Sequence, residues 1–285
     1  MTTTQENDNP PASPLSDKDF VELCRTGTLE EITQALAAGA NPNAKDENRD
    51  IALVQAAGKN SPAVVRALLD AGADVHARDW QDMTALMNAA SDNRDPEVVR
   101  ALLDAGADVN AVSFDGWTAL AYAVPYNSLA VVQALLDAGA NVNARTDNDF
   151  TPLTWAAGEN ALPVVRALLD AGARVNTQDE EGVYGVCWTP LMSAVVEGDL
   201  EEVRLFLDAG ANVNVRNDDG RTALMLAAKH GHVAVAQALL DAGANKSLKD
   251  EDGHDALWYA RAWRSTEIIR LLEAAVPETG AAEQS

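Results

Sequence analysis

Val98-Val99-Arg100-Ala101-Leu102-Leu103-Asp104-Ala105-Gly106-Ala107-Asp108-Val109-Asn110 decides the fold, because the chain keeps returning to it. Near copies run from Val64 to His76, from Val131 to Asn143 and from Val164 to Asn176. The glycine of the Ala-Gly-Ala core stands at Gly39, Gly72, Gly106, Gly139, Gly172, Gly210 and Gly243, in steps of 33, 34, 33, 33, 38 and 33. Twelve residues beyond most of these glycines comes a threonine: Thr84, Thr118, Thr151 and Thr222, with Thr189 delayed by an insertion. Each opens a short string such as Thr84-Ala85-Leu86-Met87-Asn88-Ala89-Ala90. A fixed period of this length is the mark of a stacked-repeat architecture.

Each piece of the unit has a physical reading. Threonine at a helix start caps orphan N–H groups, and Pro152 and Pro190 fall at the first helical position, where proline costs least. The next turn carries one leucine and two alanines, as in Leu86, Ala89 and Ala90, so neighbouring helices can approach closely. The following helix pairs Val64 and Val65 with Leu68 and Leu69 four residues on, which makes a broad apolar face. Glycine after it suits a left-handed cap. Between the two helices stand Asn60, Asn93, Asn127 and Asn160, with Gly27, Gly198 and Gly231 in equivalent slots. Both residue types tolerate positive φ, so this column reads as a repeated tight turn. No single unit buries its own faces; the stack does.

The unit, T-P-L-x-x-A-A followed by V-V-x-x-L-L-x-x-G-A-x-V-N, resembles the ankyrin repeat from about Ser16 to Ala275. The histidine usual after T-P-L is replaced by Val54, Met87, Ala121, Thr154, Met192, Met225 and Trp258. The resemblance implies an all-α solenoid of about eight stacked helix pairs joined by hairpin-like turns. It also implies a concave, protein-binding surface built from those turns and the first helices. The end units look like caps: Ser16-Asp17-Lys18-Asp19 opens the first, and Arg261 and Glu273 replace apolar residues in the last. Residues 1–15 read as a disordered leader, 16–275 as the repeat array and 276–285 as a flexible tail.

Composition narrows the function. The 285 residues are 47% hydrophobic and carry a formal net charge of −23. Such a chain is repelled by nucleic acid and by anionic membranes, so neither is expected as a partner. It has no apolar run long enough to span a bilayer, and its acidic N-terminus is unlike a signal peptide. A cytoplasmic, acidic monomer is expected. The two cysteines, Cys24 and Cys187, lie about five repeats apart and are not expected to pair. No catalytic set or phosphate loop is recognisable, so the chain reads as non-enzymatic, with no cofactor and no metal. The strongest contrary candidate is a metal or catalytic site using His230 and His254.

In a repeat protein, function falls where the repeats differ. The residue before each threonine lies near a hairpin tip, and Met83, Trp117, Phe150 and Trp188 form one column there. Tyr122, Tyr126 and Trp155 fall on the adjoining helix face by the i, i+4 rule. Trp80 and Phe114 sit on the same hairpins, and Tyr184 lies in the insertion before Thr189. Most of the aromatic residues (Trp 6, Tyr 4, Phe 4) occupy these slots. They are expected to make an aromatic strip that binds a protein partner, rimmed by Asp46, Glu47, Asp115, Asp147, Asp149 and Glu159, and so suited to a basic surface. The use of that strip is a scaffold or, alternatively, an inhibitor or immunity-type regulator of an enzyme or toxin.

Overall fold

The computed structural model describes residues 14–93, 95–126, 128–157, 159, 161–177 and 188–274. Among them are sixteen helices and no strand. They fall into two compact units, Met1–Asn141 and Val142–Ser285. The first unit holds α1 (Asp17–Thr26), α2 (Leu29–Ala37), α3 (Ala52–Lys59), α4 (Pro62–Asp70), α5 (Ala85–Asp92), α6 (Pro96–Asp104), α7 (Ala119–Tyr126) and α8 (Leu129–Asp137). The second holds α9 (Pro152–Ala156), α10 (Leu162–Asp170), α11 (Pro190–Glu197), α12 (Leu200–Asp208), α13 (Ala223–His230), α14 (Val233–Asp241), α15 (Ala256–Ala262) and α16 (Thr266–Ala274). Within each unit odd helices pack on odd and even on even, which is the arrangement of an α-solenoid. No described helix is long and apolar enough to cross a membrane.

The local signals act as the sequence implies. Thr84, Thr151, Thr189 and Thr222 each accept a hydrogen bond from the backbone N–H three residues on. The partner that histidine would supply is replaced in two ways. Thr154 Oγ1 accepts from Thr151 N at 2.8 Å, and the Met87 and Met225 sulfurs receive the Thr84 and Thr222 amides at 3.5 and 3.4 Å. Leu86, Ala89, Ala90, Val98, Val99 and Leu102 are buried, so both helices of this unit give their apolar side to the stack. The glycine after the second helix is left-handed, as at Gly72 with φ +91°.

The column between the helices, of which Asn127 and Asn160 lie outside the described residues, departs in part from the expected tight turn. Gly198 and Gly231 do have positive φ, at 76° and 77°. Gly27, Asn60 and Asn93 do not: their φ values are −68°, −118° and −96°. The asparagines serve through their side chains. Asn60 Nδ2 donates to the carbonyls of Cys24 and Gly27 at 3.1 and 2.9 Å. Asn93 Nδ2 donates to those of Ala57 and Asn60 at 2.9 and 2.9 Å. One carboxamide thus satisfies two backbone acceptors at the end of the preceding helix, where four carbonyls lack intrahelical partners.

A second set of asparagines bridges the stack near the hairpin bases. Asn43 Nδ2 donates to Gly72 O at 3.0 Å, while Asn43 Oδ1 accepts from Asp74 N at 2.7 Å. The same two-bond bridge recurs at Asn110 with Gly139 and Asn141, at Asn143 with Gly172 and Arg174, at Asn176 with Gly210 and Asn212, and at Asn214 with Gly243 and Asn245. At the corresponding place His76 makes no such bridge.

Gly198 combines two constraints. Its φ is +76°, and a Cβ there would lie 2.6 Å from the His232 ring. That ring is held in turn, with Nε2 2.9 Å from Val196 O. Gly198→Ala should therefore lower unfolding free energy by about 1–3 kcal/mol, since both backbone strain and displacement of His232 oppose it. Urea melts followed by circular dichroism measure this; an unchanged midpoint would show that the turn relaxes freely.

Candidate functional site

Every described hairpin is closed from within. A short polar side chain accepts the backbone N–H four residues on: Asp46 from Asp50 at 2.8 Å, Asp79 from Met83 at 3.0 Å, and Ser113 from Trp117 at 3.2 Å. In the second unit Thr146, Asn217 and Asp250 do the same for Phe150, Arg221 and His254 at 3.2, 2.8 and 2.7 Å. The residue three beyond the anchor takes positive φ: Arg49, Asp82, Gly116, Asp149, Gly220 and Gly253. Side-chain acceptors of this kind stabilise turns without help from strand pairing. Asp46 is therefore a hairpin anchor. Asp149 pairs with Arg145 at 2.5 Å. Of the expected acidic rim, Glu47, Asp115, Asp147 and Glu159 are exposed.

At two hairpins the aromatic residue before the threonine packs its ring, tilted, on the aromatic residue five positions later. Trp117 and Tyr122 have ring centroids 5.1 Å apart, and Phe150 and Trp155 5.0 Å. Tyr122 Oη also lies 3.3 Å from Ser113 Oγ. These pairs brace the hairpin against its helix, and they change the expected exposure. Phe150 is buried, with 7% of its surface accessible, so it is not part of an exposed strip. Met83, Trp117, Tyr122, Trp155 and Trp188 are half-buried. Tyr184 and Cys187, and the side chain of Tyr126, lie outside the described residues.

The outward aromatics are Trp80 and Phe114, with 60% and 77% of their surfaces exposed. They occupy the same slot on consecutive hairpins of the first unit, and the Phe114 amide donates to Gln81 O at 3.1 Å. Val112 beside them is 49% exposed. Equivalent slots elsewhere are charged. Glu47, Asp147, Asp218 and Glu251 match Trp80 and Phe114, while Lys45, Arg78, Arg145, Arg216 and Lys249 match Val112. Val112 escapes notice in the sequence because valine is ordinary in this chain; only alignment of the hairpins exposes it as an apolar break in a basic column.

His230 and His254 do not form one site. His230 stacks on His232 with centroids 5.9 Å apart. Burial is the main cause that lowers its pKa below the usual histidine value, with Lys229 adding to it. His254 instead joins Asp250 and Asp252, whose ligating atoms lie within 4.8 Å of one another. Asp250 already accepts from the Asp252 and His254 amides and from Tyr259 Oη. Burial opposes its carboxylate, but these bonds hold its carboxyl below the ordinary value. The group is a closed hairpin anchor. Cys24 is buried, and desolvation pushes its thiol up to about 12, far from a reactive thiolate.

Burial separates the two kinds of aromatic energetically. Phe150→Ala should cost about 3 kcal/mol of unfolding free energy. Phe114→Ala should stay within about 0.5 kcal/mol, as for an exposed residue. Equal losses in urea melts would contradict the division into bracing and outward aromatics.

The family comparison agrees with this geometry. A model described as ankyrin repeats (3 copies) matches residues 21–113, 90–179 and 191–278. No curated protein matches the chain. Family match, helix-pair stacking and recurring bridges lead to one conclusion: the chain belongs to the ankyrin repeat family.

Proposed function

We propose that this chain is a non-enzymatic scaffold that binds a protein partner through its hairpins and first helices. Ankyrin repeats are in general protein–protein interaction modules. The observation that carries the reading here is the outward triad of Trp80, Val112 and Phe114, set where sibling repeats present charge. Contiguous exposed apolar side chains mark interaction surfaces, and tryptophan is prominent among residues that dominate binding energy. Trp117 and Tyr122 adjoin the triad and supply a firm base. Met83 belongs with them. In the second unit Trp155 and Trp188 are proposed as further contacts, with Phe150 bracing Trp155; Tyr126 and Tyr184 complete the proposed set.

The charge of −23 makes a basic partner the natural complement. The proposal extends to a cytoplasmic monomer whose array runs from 16 to 275. A binder of this form serves equally to scaffold a partner or to inhibit it by covering its active surface.

The test is affinity capture from the native cell with the wild-type chain and with Trp80→Ala/Phe114→Ala. Melting temperature should be unchanged, while a partner recovered by the wild type should bind the variant roughly thirtyfold more weakly, the equivalent of about 2 kcal/mol. A partner held equally by both proteins would remove the triad from the binding surface.

A further inference from the structure

The hairpins differ in how their acids are neutralised. In the first, Arg25 Nη2 reaches Asp50 Oδ2 at 2.6 Å. In the second unit Arg145 pairs with Asp149 at 2.5 Å, and Arg221 with Asp219 at 2.9 Å. Among the described residues the two hairpins that carry Trp80 and Phe114 lack this provision, as does the last, where Glu251 and Asp252 pair with no arginine or lysine but no outward aromatic occupies the Trp80 slot. Asp82 and Asp115 are exposed and have no cationic partner among the described residues. Arg78, the one base on these two hairpins, donates to the carbonyls of Asp82 and Val112 instead, at 3.0 and 2.6 Å for the former and the latter. On the next hairpin Val112 takes the basic slot. Exposed aromatic rings and unpaired carboxylates therefore coincide where the chain withholds its own guanidinium.

The second unit shows what completes such a place. Arg221 donates from Nε to Tyr259 Oη at 2.8 Å, and its Nη1 lies 2.9 Å from Asp219 Oδ2. Its Cζ stands 5.8 Å from the Tyr259 ring centroid. One guanidinium there meets an aromatic ring and a carboxylate together. A planar guanidinium is suited to both, since it stacks on rings and forms a fork to carboxylate, whereas an ammonium does neither as well.

Resting on the reading of this surface as a protein-binding one, we propose that the hairpins of Trp80 and Phe114 receive an arginine-bearing segment of the partner. Its guanidinium stacks on Trp80 or Phe114 and pairs with Asp82 or Asp115, and Val112 covers the aliphatic stem. The surface thus selects arginine over lysine, beyond a general attraction for positive charge.

The test uses two fluorescein-labelled peptides of equal charge, alternating Arg-Gly and alternating Lys-Gly, titrated by fluorescence anisotropy against the full chain in 0.15 M salt. The arginine peptide should bind at least fivefold more tightly. Trp80→Ala/Phe114→Ala keeps the net charge and should erase that preference; Asp82→Asn/Asp115→Asn should weaken both peptides and erase it too. Circular dichroism should show all variants folded. Equal binding of the two peptides, no binding of either, or a preference that survives the aromatic variant would overturn the proposal. Should the aromatic variant still lose the native partner while the two peptides bind alike, the arginine assignment fails and the scaffold reading stands. Should the partner be held equally by wild type and variant, the scaffold reading fails at this surface whatever the peptides do.

Discussion

The structure depends on one interaction above others: an asparagine carboxamide bonded to the backbone of the adjacent repeat. Each repeat ends its helices with carbonyls that have no partner within the helix. Asn60 and Asn93 meet two of them at once. Asn43, Asn110, Asn143, Asn176 and Asn214 both donate and accept across the same kind of joint. Hydrophobic burial of valine, leucine and alanine supplies most of the energy of stacking. It is non-directional, and the carboxamide bonds are what set the register of one repeat on the next.

Because register is set at the helix ends and hairpin bases, the outward side chains of the hairpin tips are released from that duty. Each tip closes on its own anchor, whether Asp79, Ser113 or Asn217, so the side chain in the outward slot takes no part in closing it. Those slots are acidic in most repeats and aromatic in two adjacent ones. Phe150 of the second unit turns inward and braces, while Phe114 of the first turns outward. Rigid tips also favour binding, since little conformational freedom is left to lose when a partner docks.

Period, helix pairs and caps were legible in the sequence because they are local. A threonine three residues before the amide it caps, or a glycine after a leucine pair, needs no knowledge of the neighbouring repeat. The side-chain role of Asn60 and Asn93 is not legible for the opposite reason. The partners of Asn93 lie 36 and 33 positions back, and only stacking brings them within reach. The inward turn of Phe150 is not legible either, since residue type alone does not say that its ring packs on Trp155. Trp80 and Phe114 were legible as candidates by residue type. Val112 and the unpaired state of Asp82 and Asp115 were not, because they appear only when hairpins are compared slot by slot. His230 and His254, suggestive in one dimension, belong to separate structural roles.

The central claim, that carboxamide bonds between repeats hold the array in register, is tested most directly at Asn93. Asn93→Asp keeps the shape but replaces the two donors facing Ala57 O and Asn60 O with an acceptor. Asn48→Asp makes the same change at an exposed hairpin position whose side chain makes no hydrogen bond among the described residues. Urea unfolding should show a loss of about 2–3 kcal/mol for the first and less than about 0.5 kcal/mol for the second. Equal stability of the two variants would contradict the account.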